Sequence, residues 1–387
     1  MYIGSRGRRK RGSSAAWFVL FLIGAILLGG YAVVQERLGR GLRLSASQTT
    51  PLPTLTPTRA VEDFVALAQE AYKQGDYRSA ISFYEQASRR RPNDARLYAE
   101  PARLMVFIGQ ARRAEQRARR ALEIDPSSVM ARAVLCMALD WQGRVAEALT
   151  ECRAAVEQDP NSSLARAYLS EALTDSGSFG AARDEARRAL ELDPQNADAM
   201  RNLGYSYEMA GDYAQAVYYY EETLNLNPNM PHVIIAIGRA YTVLGQPSKS
   251  VVYYKRALQI DPQNAEAYDR MGGAYLVIGE YDLAREALNK AIELDPLRPS
   301  AFSRRGLLNF QQRRYESSVE DYVRAITTSQ IISATVSAAD YLYLGFAYQW
   351  TNRCDEAIEA WNQAVALAPG DESIAQNAAV GFKRCGR

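Results

Sequence analysis

Proline is the residue a helix tolerates least, and in this chain it returns at a fixed interval. Pro92, Pro126, Pro160, Pro194, Pro228, Pro262 and Pro296 stand 34 residues apart. Gly75, Gly109, Gly143, Gly177, Gly211, Gly245 and Gly279 keep the same step, seventeen residues ahead of each proline. Proline fixes φ and has no N–H to donate, while glycine enters left-handed backbone freely. Two such marks on one period predict a stack of like units, each too small to fold alone, rather than a globule around one core.

The unit is legible in residues 265–298. Tyr268, Met271, Gly272 and Tyr275 recur at helical spacing, Gly279 interrupts, and Leu283, Ala284, Leu288 and Ala291 resume the spacing until Pro296. Each unit is therefore two antiparallel helices with a glycine turn between them. Small residues recur at the eighth, twentieth and twenty-seventh positions, as in Gly204, Ala216 and Thr223, then Gly238, Ser250 and Ala257. A large side chain there would hold the helices beyond normal packing distance.

On these residues the chain resembles the tetratricopeptide repeat family, over 61–371. The resemblance implies an all-α, right-handed superhelical solenoid of about nine helix-turn-helix units. The expected units are 61–94, 95–128, 129–162, 163–196, 197–230, 231–264, 265–298, 299–337 and 338–371, with a capping helix and tail over 372–387. Nine units are expected to make about one superhelical turn, first helices lining its concave side. Ser373, Gln376, Asn377, Lys383 and Arg384 suit the exposed face that an array end needs. Three places depart from the pattern. Pro101 falls inside a first helix and predicts a kink or a late start. Pro247 sits harmlessly where a second helix begins. The eighth unit has Arg313 for glycine and Gln330 for proline, and 327–337 reads as a longer connection.

Ahead of the repeats, residues 1–15 carry Arg6, Arg8, Arg9, Lys10 and Arg11. Residues 16–34 are apolar and uncharged, with Trp17 and Tyr31 near the ends. At 1.5 Å per residue such a run spans roughly the 30 Å of a bilayer's hydrocarbon core. Five basic residues before it, against Arg37, Arg40 and Arg43 after it, orient the N-terminus to the cytoplasm and the repeats outside. The competing interpretation is a cleaved signal peptide and a secreted body. Residues 35–60 form a Ser/Thr/Pro-rich linker, with Pro51, Pro53 and Pro57, that reads as a stalk.

The family implies binding of proteins or peptides. Helical geometry at 100° per residue turns positions 2, 5, 6, 9, 12 and 13 of each first helix toward the concave groove. That surface holds Tyr72, Arg103, Phe107, Met137, Trp141, Arg201, Tyr205, Met209, Arg239, Val243, Val277, Phe310, Phe346 and Trp350. Aromatic, Met and Arg side chains on a face open to solvent suit a binding site, or else they complete the packing between first helices. The family's two-carboxylate clamp is absent: its Lys and Asn positions hold Val65 and Gln69 in the first unit, and Ala167 and Glu171 in the unit before Asn202. The tyrosines of 218–220 and 253–254 belong to second helices and read as core and convex packing.

Other signals are local. Arg112, Arg113, Arg117, Arg119 and Arg120 make one second helix basic, a solvated face or a contact for anionic lipid. No stacking platform accompanies them, so nucleic acid is not an expected partner. Of four cysteines, Cys354 and Cys385 should meet where the capping helix packs on the last unit. Cys136 and Cys152 face each other within one hairpin, as a disulfide or as two small buried residues. Basic and acidic residues nearly balance, 46 against 44, and the single histidine, His232, rules out multi-histidine metal sites and reads as an exposed polar contact. No phosphate loop, nucleophile elbow or zinc-protease motif occurs, so neither an enzyme nor a cofactor is expected. The sequence thus reads as a membrane-anchored protein-interaction scaffold. A peptide-binding chaperone or assembly factor for exported proteins, or an accessory subunit of a membrane enzyme, are the other interpretations.

Overall fold

The computed structural model describes residues 59–386. The leader 1–15, the apolar run 16–34 and linker residues 35–58 lie outside the described residues. Among the described residues no helix is long and apolar enough to cross a membrane.

Nineteen helices follow one another, with no strand among the described residues. They pair as α1 (Val61–Lys73) with α2 (Tyr77–Arg90), α3 (Arg96–Phe107) with α4 (Ala111–Ile124), and α5 (Val129–Asp140) with α6 (Val145–Gln158). Next come α7 (Ser163–Asp175) with α8 (Phe179–Leu192), α9 (Ala197–Met209) with α10 (Tyr213–Leu226), and α11 (Pro231–Val243) with α12 (Pro247–Ile260). The last pairs are α13 (Ala265–Ile278) with α14 (Tyr281–Leu294), α15 (Pro299–Gln311) with α16 (Tyr315–Ile331), and α17 (Ala338–Trp350) with α18 (Cys354–Leu367). Helix α19 (Glu372–Arg384) closes the array.

The punctuation works as its chemistry requires. Each periodic glycine from Gly75 to Gly279 has φ between 71° and 90°, ending the first helix in left-handed backbone. The acid or amide before each proline from Pro126 to Pro296 accepts an N–H two residues on: Asp125 from Ser127, Asp159 from Asn161, Asp193 from Gln195, Asn227 from Asn229, Asp261 from Gln263 and Asp295 from Leu297. Proline stops the second helix, and this side-chain turn aims the chain into the next unit. Ser128, Ser162, Asn196 and Asn264 then cap the following first helices by accepting an N–H three residues on.

Within the hairpins, small meets large. An added Cβ at Gly204, Gly238 or Gly345 would strike Tyr220, Tyr254 or Trp361, at Gly272 it would strike Leu288, and at Gly306 it would press tightly on Tyr322. In the second to fourth units both facing positions are small: Ala102 and Ala118, Cys136 and Cys152, Ser170 and Ala186. Those are the units whose first helices crowd together. Helices α3, α5, α7 and α9 pack side against side, whereas α11, α13, α15 and α17 touch only at a few points.

Crowding on the inside tightens the curl, and the superhelix meets itself early. The first unit reaches the sixth: the Asn229 side chain donates to the Lys73 carbonyl at 3.0 Å, and Tyr77 Oη lies 3.5 Å from His232 Nδ1. Arg78 lies 3.9 Å from Asp261, and a Cβ at Gly75 would strike the Asn229 carbonyl and Ile260. The expectation of one turn from nine units is thus corrected: a turn closes after about five, because four first helices pack without a gap. His232 is corrected with it. It is not an exposed polar contact but half-buried, stacked on Phe107 with ring centroids 4.0 Å apart.

Two irregular places resolve simply. Pro101 lies buried inside α3, which starts at Arg96 and runs through it to Phe107. The extra residues of the eighth unit go mostly into helix, three of the five lengthening it and two the connection. Without a proline at 330, α16 continues to Ile331 and only 332–337 remain as connection. At the far end Trp361 is fully buried between Gly345 and Gly381 and donates Nε1 to the Leu342 carbonyl at 3.2 Å.

Candidate partner-binding interior

Charged side chains line the inside of the tight turn. Arg201 on α9 is 6% exposed and lies 2.6 Å from Glu171 on α7, itself 2% exposed. Trp141 Nε1 donates to the other Glu171 oxygen at 2.7 Å. Arg103 on α3 donates to Asp198 at 3.1 Å across 95 residues, and Tyr168 Oη donates to the same oxygen at 2.9 Å. Arg239 on α11 donates through two nitrogens to Glu208, at 2.6 and 2.8 Å, and Tyr220 Oη donates to Glu208 at 2.7 Å. Buried pairs of this kind add little net stability, but breaking one strands a charge and costs about 3–5 kcal/mol. They join α3 to α9, α7 to α9 and α9 to α11.

These side chains surround a cavity of about 320 Å³. Asp140, Glu171, Asp175 and Glu266 supply carboxyls to its wall, Arg201 and Arg239 guanidiniums, and Phe107, Trp141, Tyr205 and Tyr220 aromatic rings. Burial, with the charges of Glu171 and Asp175 beside it, pushes the Asp140 carboxyl up to about 9. Burial and the guanidiniums of Arg201 and Arg103 hold His232 well below its ordinary range, so it is neutral. Trp141 and Asp175 are exposed and form the rim.

The predicted groove residues divide along the array. In the tight half, Phe107, Met137 and Arg201 are buried, while Tyr72 and Arg103 are half-covered, with Arg103 4.9 Å from the Tyr72 ring. The expectation that they present an open wet face is corrected, because neighbouring first helices and the returning sixth unit cover them. Tyr205 and Arg239 are half-buried and line the cavity. In the looser half the first helices leave their ends free. Met209, Val243, Val277 and Trp350 are 48, 56, 70 and 54% exposed. Val243, Leu276, Val277 and Leu307 line a second hollow of about 370 Å³. Phe310 and Phe346 are half-buried, packed edge-on against Tyr315 and Trp361.

Asp140 was not among the predicted groove residues. The available signal was a run of acids at inward positions of consecutive units, at 140, 171 and 175, where some other units place apolar groups such as Val106, Met137 and Val243. Two disulfides join Cys136 to Cys152 and Cys354 to Cys385, with Cα atoms 5.3 and 5.6 Å apart. The arginines of α4 are largely compensated: Arg113 and Arg117 pair with Glu85, Arg119 with Glu115 and Arg120 with Glu123. Tyr220 and Tyr254 are core residues and Tyr218 is exposed.

Family patterns described as tetratricopeptide repeat match residues 71–134, 108–172, 165–231 and 244–303, together over half of the chain. No curated protein matches it. Among solved structures, PilW, a widely conserved type IV pilus biogenesis factor, is 19% identical with a TM-score of 0.50, covering 55% of this chain and 97% of its own. The human IFIT1 dimer with PPP-AAAA is 16% identical with a TM-score of 0.54, covering 80% of this chain and 84% of its own. At these identities the likeness is one of fold.

Proposed function

The chain belongs to the tetratricopeptide repeat family, and from that premise we propose that it is a membrane-anchored scaffold that gathers partner proteins or peptides along its inner surface. The observation that carries this is the row of exposed apolar groups at the ends of successive inner helices. Met209, Val243 and Val277 repeat at 34-residue intervals, and Trp350 lies further along. Rigid helices present these side chains already ordered, which lowers the entropic cost of gripping an extended segment. Large apolar groups left uncovered at one repeated position suit a partner's apolar side chains.

Anchoring rests on the apolar run 16–34, and a position outside the cytoplasm on its flanking charges. The two disulfides support that location, since such bonds persist in oxidising compartments. The PPP-AAAA of the IFIT1 dimer is not carried over, because carboxyls outnumber guanidiniums around the inner cavity. Lipid contact by α4 forms no part of the proposal, given the carboxylates beside its arginines.

The test is capture of partners from native membranes by the detergent-solubilised full chain. Replacing Val243, Val277 and Trp350 by serine should lower recovery of the main partner at least tenfold while the helical circular dichroism and melting temperature hold. Unchanged recovery with an unchanged fold would refute the groove. Protease added outside intact cells should digest the repeats; their protection would refute the location.

A further inference from the structure

Asp140 ends α5 with 2% of its surface exposed, and its carboxyl oxygens take no N–H or hydroxyl hydrogen bond; the one side-chain partner within reach is the Asp175 carboxyl, which it can meet only by carrying a proton. It lines the inner cavity. Buried polar groups are nearly always satisfied, so a carboxyl at a cavity wall whose side-chain partner is another carboxyl calls for an explanation. The other carboxyls nearby are engaged. Glu171 holds Arg201 and Trp141, Asp175 accepts from Tyr205 Oη at 2.5 Å, and Glu266 holds Arg270 at 2.6 Å. The guanidinium of Arg239 is held by Glu208, whereas Arg201, 2.6 Å from Glu171, leaves Nε and Nη2 without a hydrogen-bond partner.

Four carboxyls thus face two guanidiniums in this wall, and each guanidinium lies against a carboxylate other than Asp140, so the cavity is short of positive charge beside Asp140. Among the described residues no group of three or more His, Cys, Asp or Glu could hold a metal ion. The walls are aromatic, from Trp141 and Tyr205, around a space of about 320 Å³. A planar guanidinium uses such a setting fully, since it grips a carboxylate through two N–H groups and stacks on aromatic faces.

We propose that the inner cavity is a subsite for an arginine side chain of a bound partner segment, with Asp140 as its carboxylate, Asp175 at the rim, and Trp141 and Tyr205 as its walls. The site rests on the scaffold function and names the chemistry of the partner. It also carries a proton linkage. The charged groups facing Asp140 are Glu171 and Asp175 from α7 and Arg201 from α9, and the empty site keeps its proton at neutral pH. An entering guanidinium favours the carboxylate, so the proton leaves to buffer as the cation binds, and binding tightens as pH rises.

The experiment is calorimetric titration of the full chain in detergent micelles with N-acetyl-arginine amide as probe. Saturable binding is expected, at least tenfold tighter than for the uncharged citrulline analogue and at least twofold tighter than for N-acetyl-lysine amide. Heats in buffers of different ionisation enthalpy should report a proton released. Asp140→Asn, which matches the protonated carboxyl in shape, should weaken binding at least tenfold and abolish the proton release. Asp175→Asn should weaken it several-fold, and this exposed residue gives a variant with little risk to folding. Equal binding of arginine and citrulline derivatives, or unchanged binding by both variants, would overturn the site. Free arginine binding tenfold more tightly than the amide would overturn the partner segment and indicate a small-molecule site. Capture by Val243, Val277 and Trp350 is read separately, so the groove can fail while this subsite stands, or the reverse.

Discussion

Individual residues in this array act through backbone geometry and burial, and two of them make sharp predictions. Arg313 occupies the turn position held by glycine in seven other units and carries φ of 60°. A Cβ in that region costs about 1–2 kcal/mol, and the side chain is exposed. Arg313→Gly should therefore stabilise the eighth hairpin by about 1 kcal/mol, seen as a higher urea midpoint or stronger amide protection in α15 and α16. The ninth unit already softens the same problem with Asn352, at φ 59°, since asparagine tolerates left-handed backbone better. Asp140 gives the second prediction. Unfolded, its carboxyl titrates near 3.9; folded, at about 9. Between those values the folded state holds the extra proton, so the residue costs stability increasingly as pH rises. Asp140→Asn removes that cost. Its urea midpoint should equal that of the native chain at pH 4 and exceed it progressively toward pH 9, by at most about 1.4 kcal/mol per pH unit. A constant difference across the range would contradict this account.

Elements are held by pairing rules that repeat until the end of the array, where they change. An interior hairpin has neighbours on both sides, but α19 has only α17 and α18 beneath it. Its seat is Trp361 against Gly381, with Phe382 edge-on to the indole at 5.6 Å, and the bond from Cys354 to Cys385 across 31 residues. Closing a loop of that length constrains the unfolded chain by about 3.5 kcal/mol, somewhat more than the 16-residue separation of Cys136 and Cys152. Cys385→Ser should thus loosen the cap first. Amide exchange in α19 should quicken strongly while α5 and α6 keep their protection; uniform protection loss would mean that the cap and the array unfold as one unit. The hairpins and their glycine turns were legible from the period. The extension of α16 was not, because loss of a proline removes a stop signal without saying where the helix ends instead.

For the molecule as a whole, the decisive feature is curvature. A solenoid's pitch follows from the small rotation between neighbouring units, and a small change per unit accumulates along the array. Here small residues at both facing positions of the second to fourth hairpins accompany side-by-side packing of α3 to α9, and the first unit lands on the sixth. The seam includes the Phe107–His232 stack, the Tyr77 contact, the bond from Asn229 to the Lys73 carbonyl, and the approach of Arg78 to Asp261. Removing it with Asn229→Ala and His232→Ala should open the coil and enlarge the radius of gyration by small-angle X-ray scattering. An unchanged profile would mean that the inner helices alone set the turn.

What the sequence determined by itself was the unit. Proline every 34 residues, glycine midway and small residues where helices cross are local instructions, and the hairpins obey them without help from afar. The tertiary structure alone decided which inward residues remain free. Arg103 meets Asp198 across 95 residues, and Phe107 meets His232 across more than a hundred. A helical wheel treats each helix alone and assigns every inward position to solvent. Close neighbours bury Met137, and only the accumulated rotation between units brings distant inner faces together over Phe107 while Val243 and Val277 stay exposed.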